Sequence, residues 1–306
     1  MVAHSITLIM SPYHVGLHEH RVGTGPNRIR KHGVVAEIEK LGVVVNIVEI
    51  DRVDDFEGEI GRSFELLGKI SKTISAVVKD QQSFPIVLAG NCHSTVAIAA
   101  GLGHTAPEPA FIWIDAHDDF DTPSTNMNGY LDAMGVSMLH GESWHALMET
   151  IPGHVPLALE RFVYCGLRDC TNTQRRRVAA AGMDVVWGDT SPGAPRPDFA
   201  AELEEILVTK PKYREAPGAL VHLDLDVLDD SLGDVNGYST SGGLLEPDLQ
   251  KCMAMIPSRV TPLSLTVCSF NGDLEDGDRI AQIAVRGIST FVKALLQTGV
   301  VAKTKE

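Results

Sequence analysis

Eight short apolar runs rich in β-branched residues recur along the chain, at 5–10, 43–50, 85–90, 111–116, 161–167, 184–189, 219–227 and 263–270. Stretches with apolar residues at three-to-four spacing lie between them, at 29–42, 61–80, 199–210 and 278–299. The first pattern is that of strands covered on both faces, and the second is that of amphipathic helices. Alternation of the two implies a parallel sheet with helices on either side. No internal repeat, low-complexity tract or Pro/Ser linker interrupts it, and TSPGAPRPD (190–198) is short enough for a surface loop. A length of 306 residues allows two domains. The unbroken alternation favours one α/β domain over 1–306, in three layers, with a mostly parallel sheet of about eight strands.

Charge narrows the range of partners. There are 40 Asp and Glu against 26 Lys and Arg, a formal net charge of −14. Nucleic acids and anionic membranes need a basic face, so neither is expected, whereas a cation is. Five cysteines, odd in number and scattered, argue for a reducing compartment and a cytoplasmic location. The first fifteen residues carry a short apolar run without a basic n-region, and read as a buried strand rather than a signal peptide. No charge-free apolar stretch reaches about 18 residues, so no transmembrane helix is expected.

Ligands of open parallel sheets bind at the carboxyl ends of strands, and three polar clusters fall there. The fourth run ends in Asp115-Ala-His117-Asp118-Asp119-Phe-Asp121. In extended chain, residues two apart share a face, so Asp115, His117 and Asp119 converge if the chain leaves the sheet extended. The seventh run carries His222-Leu-Asp224-Leu-Asp226 with the same period. Gly90-Asn91-Cys92-His93-Ser94, between a strand and a helical stretch, adds an imidazole. Buried carboxylates are costly unless paired or metal-bound. Four Asp and two His make a hard oxygen set with some nitrogen. That set suits two Mn²⁺, or Co²⁺ or Fe²⁺, better than a thiolate-rich zinc site. Two such ions can share a water and lower its pKa enough to give hydroxide near neutral pH.

These residues resemble the arginase/agmatinase family, the ureohydrolases. Gly90–Ser94 is similar to the family's GGDHS, Trp113–Pro123 to its W-[IV]-D-A-H-x-D-x-N-T-P, and Leu223–Asp229 to its S-x-D-x-D-x-x-D. Weaker similarities lie at GTGPNRIRKHG (23–33), GLRD (166–169) and Gly242-Gly243-Leu244. The resemblance implies a parallel, usually eight-stranded α/β fold and a binuclear manganese hydrolase of guanidino or amidino compounds. It implies that His93, Asp115, Asp119 and Asp224 hold one metal and that His117, Asp115, Asp224 and Asp226 hold the other. Asp119 would also orient a metal-bridging hydroxide that attacks the substrate carbon, and Asp229 would support the ligands. Trimers or hexamers are common in the family, so a homo-oligomer is an expectation.

The substrate-facing positions depart from the family. The glutamate that grips a guanidinium falls at Ser269, and a neutral hydroxyl cannot replace its charge-assisted bidentate hold. The proton-shuttle histidine falls at Asp132, which could still relay protons if its pKa were raised. Asp121 and Asn128 stand where arginases hold an α-carboxylate, and Thr171 and Gln174 where they read an α-amino group. A modified arginine such as N-hydroxyarginine therefore fits better than arginine. Hydrolysis of a non-guanidino amide or ester, and a non-catalytic homologue, are the alternatives. Cys92, where the family has aspartate, reads as a small buried residue, with a nucleophile or soft ligand as the other possibilities. His222 reads equally as a partner that orients a ligand or as a core histidine. His14, His18 and His20 read as rim residues, and Arg175–Arg177 as a solvated helix face.

Overall fold

The computed structural model describes residues 2–79, 82–103, 108–191, 193 and 195–304. Its strands are β1 (Ser5–Ser11), β2 (Val44–Glu49), β3 (Ser83–Ala89) and β4 (Ala110–Ile114), then β5 (Phe162–Leu167), β6 (Asp184–Trp187), β7 (Ala219–Asp224) and β8 (Pro262–Cys268). They form one sheet in the order β2-β1-β3-β8-β7-β4-β5-β6, with every neighbouring pair parallel. The eight expected strands and the parallel α/β architecture are therefore present. A two-stranded antiparallel hairpin, Tyr13–His14 with Leu17–His18, follows β1.

Strand residues alternate between two apolar layers, as a pleat requires. Ile6, Leu8 and Met10 of β1 join Ile112 and Ile114 of β4 in one layer. Ile9, with Phe111 and Trp113, joins the other. The first layer is closed by α1 (Gly25–Lys31), α2 (Val34–Glu39), α7 (Phe199–Thr209), α8 (Glu246–Met255) and α9 (Gly277–Thr298). The second is closed by α3 (Glu59–Val78), α4 (Ser94–Leu102), α5 (Gly135–His140) and α6 (Asn172–Ala180).

Some boundaries differ from the sequence reading. The expected helix 29–42 is two helices, because Gly33 turns left-handed at φ 88° and ends the first. The fourth strand stops at Ile114 rather than 116, and Asp119 has φ 45°, so the loop is not extended. The seventh strand stops at Asp224 rather than 227. The Asp224 carboxylate accepts the Asp226 N–H at 2.7 Å, folding 225–227 into a 3-10 turn. Period-two alternation therefore does not carry Asp119 or Asp226 to the site; their own turns do.

Candidate metal centre and substrate cleft

The sheet order brings the carboxyl ends of β3, β8, β7 and β4 side by side. β3 and β4 are consecutive in sequence yet separated by two strands, so a crevice opens at this switch point. At its edge, Gly90 can only be glycine. A Cβ there would lie 1.9 Å from the Tyr13 carbonyl oxygen, where the hairpin crosses the end of β3.

Each candidate ligand is held by a local device. Asp115 accepts Trp113 Nε1–H at 2.8 Å on one oxygen and the His117 N–H at 2.7 Å on the other. His117 Nδ1 lies 3.3 Å from Asp226 and 3.6 Å from Asp115, and its Nε2 lies 3.4 Å from Asp169. Asn236 donates to Asp226 at 2.9 Å and to the Ser269 carbonyl at 2.9 Å, joining the β7 and β8 ends. His93 is fully buried at the start of α4. Asp132 Oδ1 accepts the His93 backbone N–H at 2.9 Å and faces Nδ1 at 2.8 Å, and Asp132 Oδ2 accepts from Asn91 at 2.6 Å. An ionised carboxylate only accepts, so Nδ1 carries the hydrogen and Nε2 is the ring nitrogen turned away from Asp132.

Ligand atoms of Asp115, His117 and Asp226 lie within 4.8 Å of one another, as do those of Cys92, Asp115 and Asp119. His93 Nε2, Asp119 Oδ2 and Asp226 Oδ1 are buried and have no hydrogen-bond partner among the described residues. Buried polar atoms normally find one. Lone pairs on two carboxylates and an imidazole, beside further carboxylates, are the donor set a hard divalent cation takes. The electrostatics agree. Burial, aided by Asp115 and Asp132, pushes Asp119 well above the usual carboxylate range. Burial, with Asp226 and Asp115, does the same to Asp224. Burial lifts Asp115 to about 6. Burial also opposes charge on Asp226, but His117 and the Asn236 hydrogen bond outweigh it and bring that group to about 2. The cluster thus holds more carboxylates than its own cations can neutralise.

A cleft of about 200 Å³ opens above these groups. Its walls include His117, Asp119, Asp224 and Asp226 of the candidate ligands, and Asp121, Asn128, Asp132, Gln174, Cys92 and Ser269 of the other candidates. His14 lies in the wall too, and burial lowers its pKa to about 4 against the pull of Asp132. His18 and His20 stand outside, with His18 near Glu19 and Glu49. Three further positions are placed apart from the cleft. Thr171 is exposed and caps α6 in a reciprocal pair with Gln174. Asp229 accepts the Gly242 and Gly243 N–H groups at 2.8 and 3.2 Å and pairs with Arg196, so it braces a neighbouring loop. His222 stacks on Trp113 beneath the site, and burial lowers its pKa to about 3, keeping it neutral.

Sequence reasoning missed Asp169, Asn236, Tyr130 and Tyr238. Asp169 ends the GLRD segment already noted. Asn236 and Tyr238 share an N-G-Y turn whose only signal is its loop chemistry. Tyr130 and Tyr238 stack at 6.3 Å in the cleft wall. Arg168, in the same GLRD, is buried and donates to five backbone carbonyls, those of Gly166, Asp226, Leu228, Thr240 and Ser241. It locks the β5 end to the loop that follows β7.

Known proteins are similar to this chain over nearly its whole length. The arginase family profile matches residues 4–293. The arginase of Brevibacillus brevis is 25% identical over 298 residues, covering 94% of this chain and 97% of its own. The crystal structure of arginase from Bacillus subtilis superposes with a TM-score of 0.82 at 21% identity, over 94% of this chain and 98% of its own. The structure of formimidoylglutamase from the same species gives 0.72 at 16%, over 96% and 87%. With nearly the whole length matched, the chain belongs to the arginase family.

Proposed function

We propose that the protein is a ureohydrolase that uses two divalent metal ions, with Mn²⁺ first and Co²⁺ or Fe²⁺ as substitutes, to hydrolyse a C–N bond of a guanidino or amidino compound. The observation that supports it is the set of buried, unpartnered atoms on His93, Asp119 and Asp226, with ligand atoms of Asp119 close to those of Asp115 and ligand atoms of Asp226 close to those of Asp115 and His117. His93, Asp115, Asp119 and Asp224 would hold one ion, and Asp115, His117, Asp224 and Asp226 the other. Such a pair supplies a nucleophilic water at neutral pH and polarises the substrate.

The chain's own residues do the rest. Asp119, whose buried Oδ2 is unpartnered, would bind an ion through one carboxylate oxygen and orient the attacking water with the other. Asp132 is a positioning residue rather than a proton shuttle. Burial alone would raise its pKa, but hydrogen bonds from His93 and Asn91 outweigh it and hold the carboxyl below the usual range. It therefore stays ionised and fixes the imidazole. Asp118, Asp121 and Asp169 give the cleft a negative wall that attracts a cationic guanidinium. Ser269 replaces a charged grip with a hydroxyl, so the reacting end is held more weakly than an arginase would hold it. That favours a modified arginine, such as N-hydroxyarginine, over arginine itself.

Arginase and formimidoylglutamase, by name, share this fold, so the fold alone does not choose the substrate. The test is metal analysis of the purified protein, then a panel of guanidino compounds assayed for urea and, with N-hydroxyarginine, hydroxyurea. Stoichiometric metal with release from the hydroxylated substrate supports the reading. Metal without release from any guanidino compound favours the amide or ester alternative, for which the neutral Ser269 speaks. No metal at all overturns both.

A further inference from the structure

We propose that Cys92, Cys268, His222 and Asp224 form a separate soft-metal site for a thiophilic divalent ion such as Zn²⁺ or Cd²⁺, beneath the hard centre and sharing Asp224 with it. It goes beyond the hydrolase reading and does not depend on it.

Register builds the site. β8 pairs with β7 so that Thr266 opposes His222 and Cys268 opposes Asp224, while β4 places Trp113 opposite His222. Residues two apart on one strand share a face, so His222 and Asp224 of β7 and Cys268 of β8 stand together on the layer that contains Trp113. The turn after β3 brings Cys92 over them. All four are at most 3% exposed. Their ligand atoms lie within 4.8 Å of one another.

Two of the three distances are near those a small tetrahedral ion would ask for. With a metal–sulfur bond of about 2.3 Å and a metal–nitrogen bond of about 2.0–2.1 Å, tetrahedral angles put two sulfurs about 3.8 Å apart and a sulfur and nitrogen about 3.6 Å apart. Cys92 Sγ and Cys268 Sγ are 3.4 Å apart, and Cys268 Sγ lies 3.6 Å from His222 Nε2. Cys92 Sγ lies 2.7 Å from Asp224 Oδ2, a thiol hydrogen bond that lengthens by about 1 Å when an ion takes the proton's place.

His222 is already oriented as a ligand. Its Nδ1 meets Thr95 Oγ1 at 2.8 Å and its ring stacks on Trp113 at 3.7 Å, which turns Nε2 toward Cys268. Metal-bound histidines are commonly held in this way through the second ring nitrogen. Two sulfurs, one imidazole and one carboxylate form a soft set that selects zinc-like ions over manganese. The cysteines at 165 and 252 are also buried together, but among the described residues they share no cluster with an imidazole and a carboxylate.

Titration of chelator-stripped, reduced protein with Cd²⁺, followed by near-ultraviolet thiolate-to-cadmium absorption, tests the site. Oxygen and nitrogen ligands give no such band, and the hard centre can contribute one only through Cys92, whose sulfur also lies within 4.8 Å of Asp115 and Asp119, so it is loss of the band with Cys268 that assigns the site. The expected result is a saturable band in the wild type, about half of it lost in Cys268→Ala and none lost in Cys165→Ala. No band at saturation overturns the proposal, and so does a band that Cys165→Ala removes. A band unchanged in Cys268→Ala also overturns it, and Cys268→Ser, nearer in shape to cysteine, takes the place of that variant if it fails to fold. A full band with no metal-dependent urea release would retain this site and discard the guanidino reading of the hydrolase.

Discussion

Replacing Asp132 by asparagine separates a positioning carboxylate from a proton carrier. Asp132 Oδ1 takes both His93 contacts, at 2.9 and 2.8 Å, so the carbonyl of the substituted side chain must stay on that side. The new amide NH₂ then faces Asn91 Nδ2 across a gap of 2.6 Å, donor against donor. Asn91 cannot turn over to help, because its Oδ1 accepts the Val15 N–H at 2.7 Å. One charge-assisted bond, about 1.5–3 kcal/mol, is lost, and a buried donor is left unpaired at about 1–3 kcal/mol. With some relaxation, Asp132→Asn should cost about 3 kcal/mol of stability. Removal of a partner that orients a ligand lowers metal affinity about 10–100-fold, or about 1.4–2.7 kcal/mol. Calorimetric Mn²⁺ titration of chelator-stripped protein, alongside thermal melts, reads both numbers. If Asp132→Asn binds Mn²⁺ within about twofold of wild type while turnover collapses, Asp132 moves protons and the positioning argument is wrong.

Other outcomes follow from single contacts. Arg168→Met deprives five backbone carbonyls of their donor and should lower unfolding free energy by about 3 kcal/mol; a change under about 1 kcal/mol in denaturant titration would show the guanidinium to be replaceable. Gly90→Ala drives a methyl into the Tyr13 carbonyl and should destabilise by about 2 kcal/mol or more, measured in the same way. Chelation should lower the melting temperature, since an ion present at 100 times its Kd adds about 2.7 kcal/mol, and an unchanged melt would count against any bound metal. Asp184 is partly desolvated, which raises its pKa, but Lys210, Lys212 and Tyr213 outweigh this and hold it below the ordinary 3.8. Its contribution is therefore complete above pH 3.8 and lost as pH falls through and below that value. Asp184→Asn should flatten this acid limb in melts run from pH 6 to about 2.5, and an unaltered limb would discount the cluster.

The strands were readable because each carries an unbroken apolar run, and burial on both faces leaves little else such a run can do. The candidate ligands stood out for a related reason. Carboxylates and imidazoles at the ends of buried strands have no apolar role, so their presence at 93, 115, 117, 119, 224 and 226 already implied a partner. The path by which they converge was not readable. Asp119 arrives through a left-handed residue, and Asp226 through the hydrogen bond its backbone N–H donates to the Asp224 carboxylate; neither follows from counting in twos. Thr171 was misplaced because a threonine that caps a helix and one that binds a substrate look alike in sequence; only the Gln174 hydrogen bonds tell them apart. Asn236 and Arg168 act across loops on backbone atoms, and such contacts leave no pattern along the chain. The same reasoning bears on Cys268. In sequence it is an ordinary apolar strand residue, and its meaning appears only in register, opposite Asp224 and one pleat from His222. A thiol on the ligand face of β8 has no packing advantage over alanine or valine there. What distinguishes it is the sulfur, and the neighbours that face that sulfur, His222 and Asp224, carry atoms of the kind that bind metals.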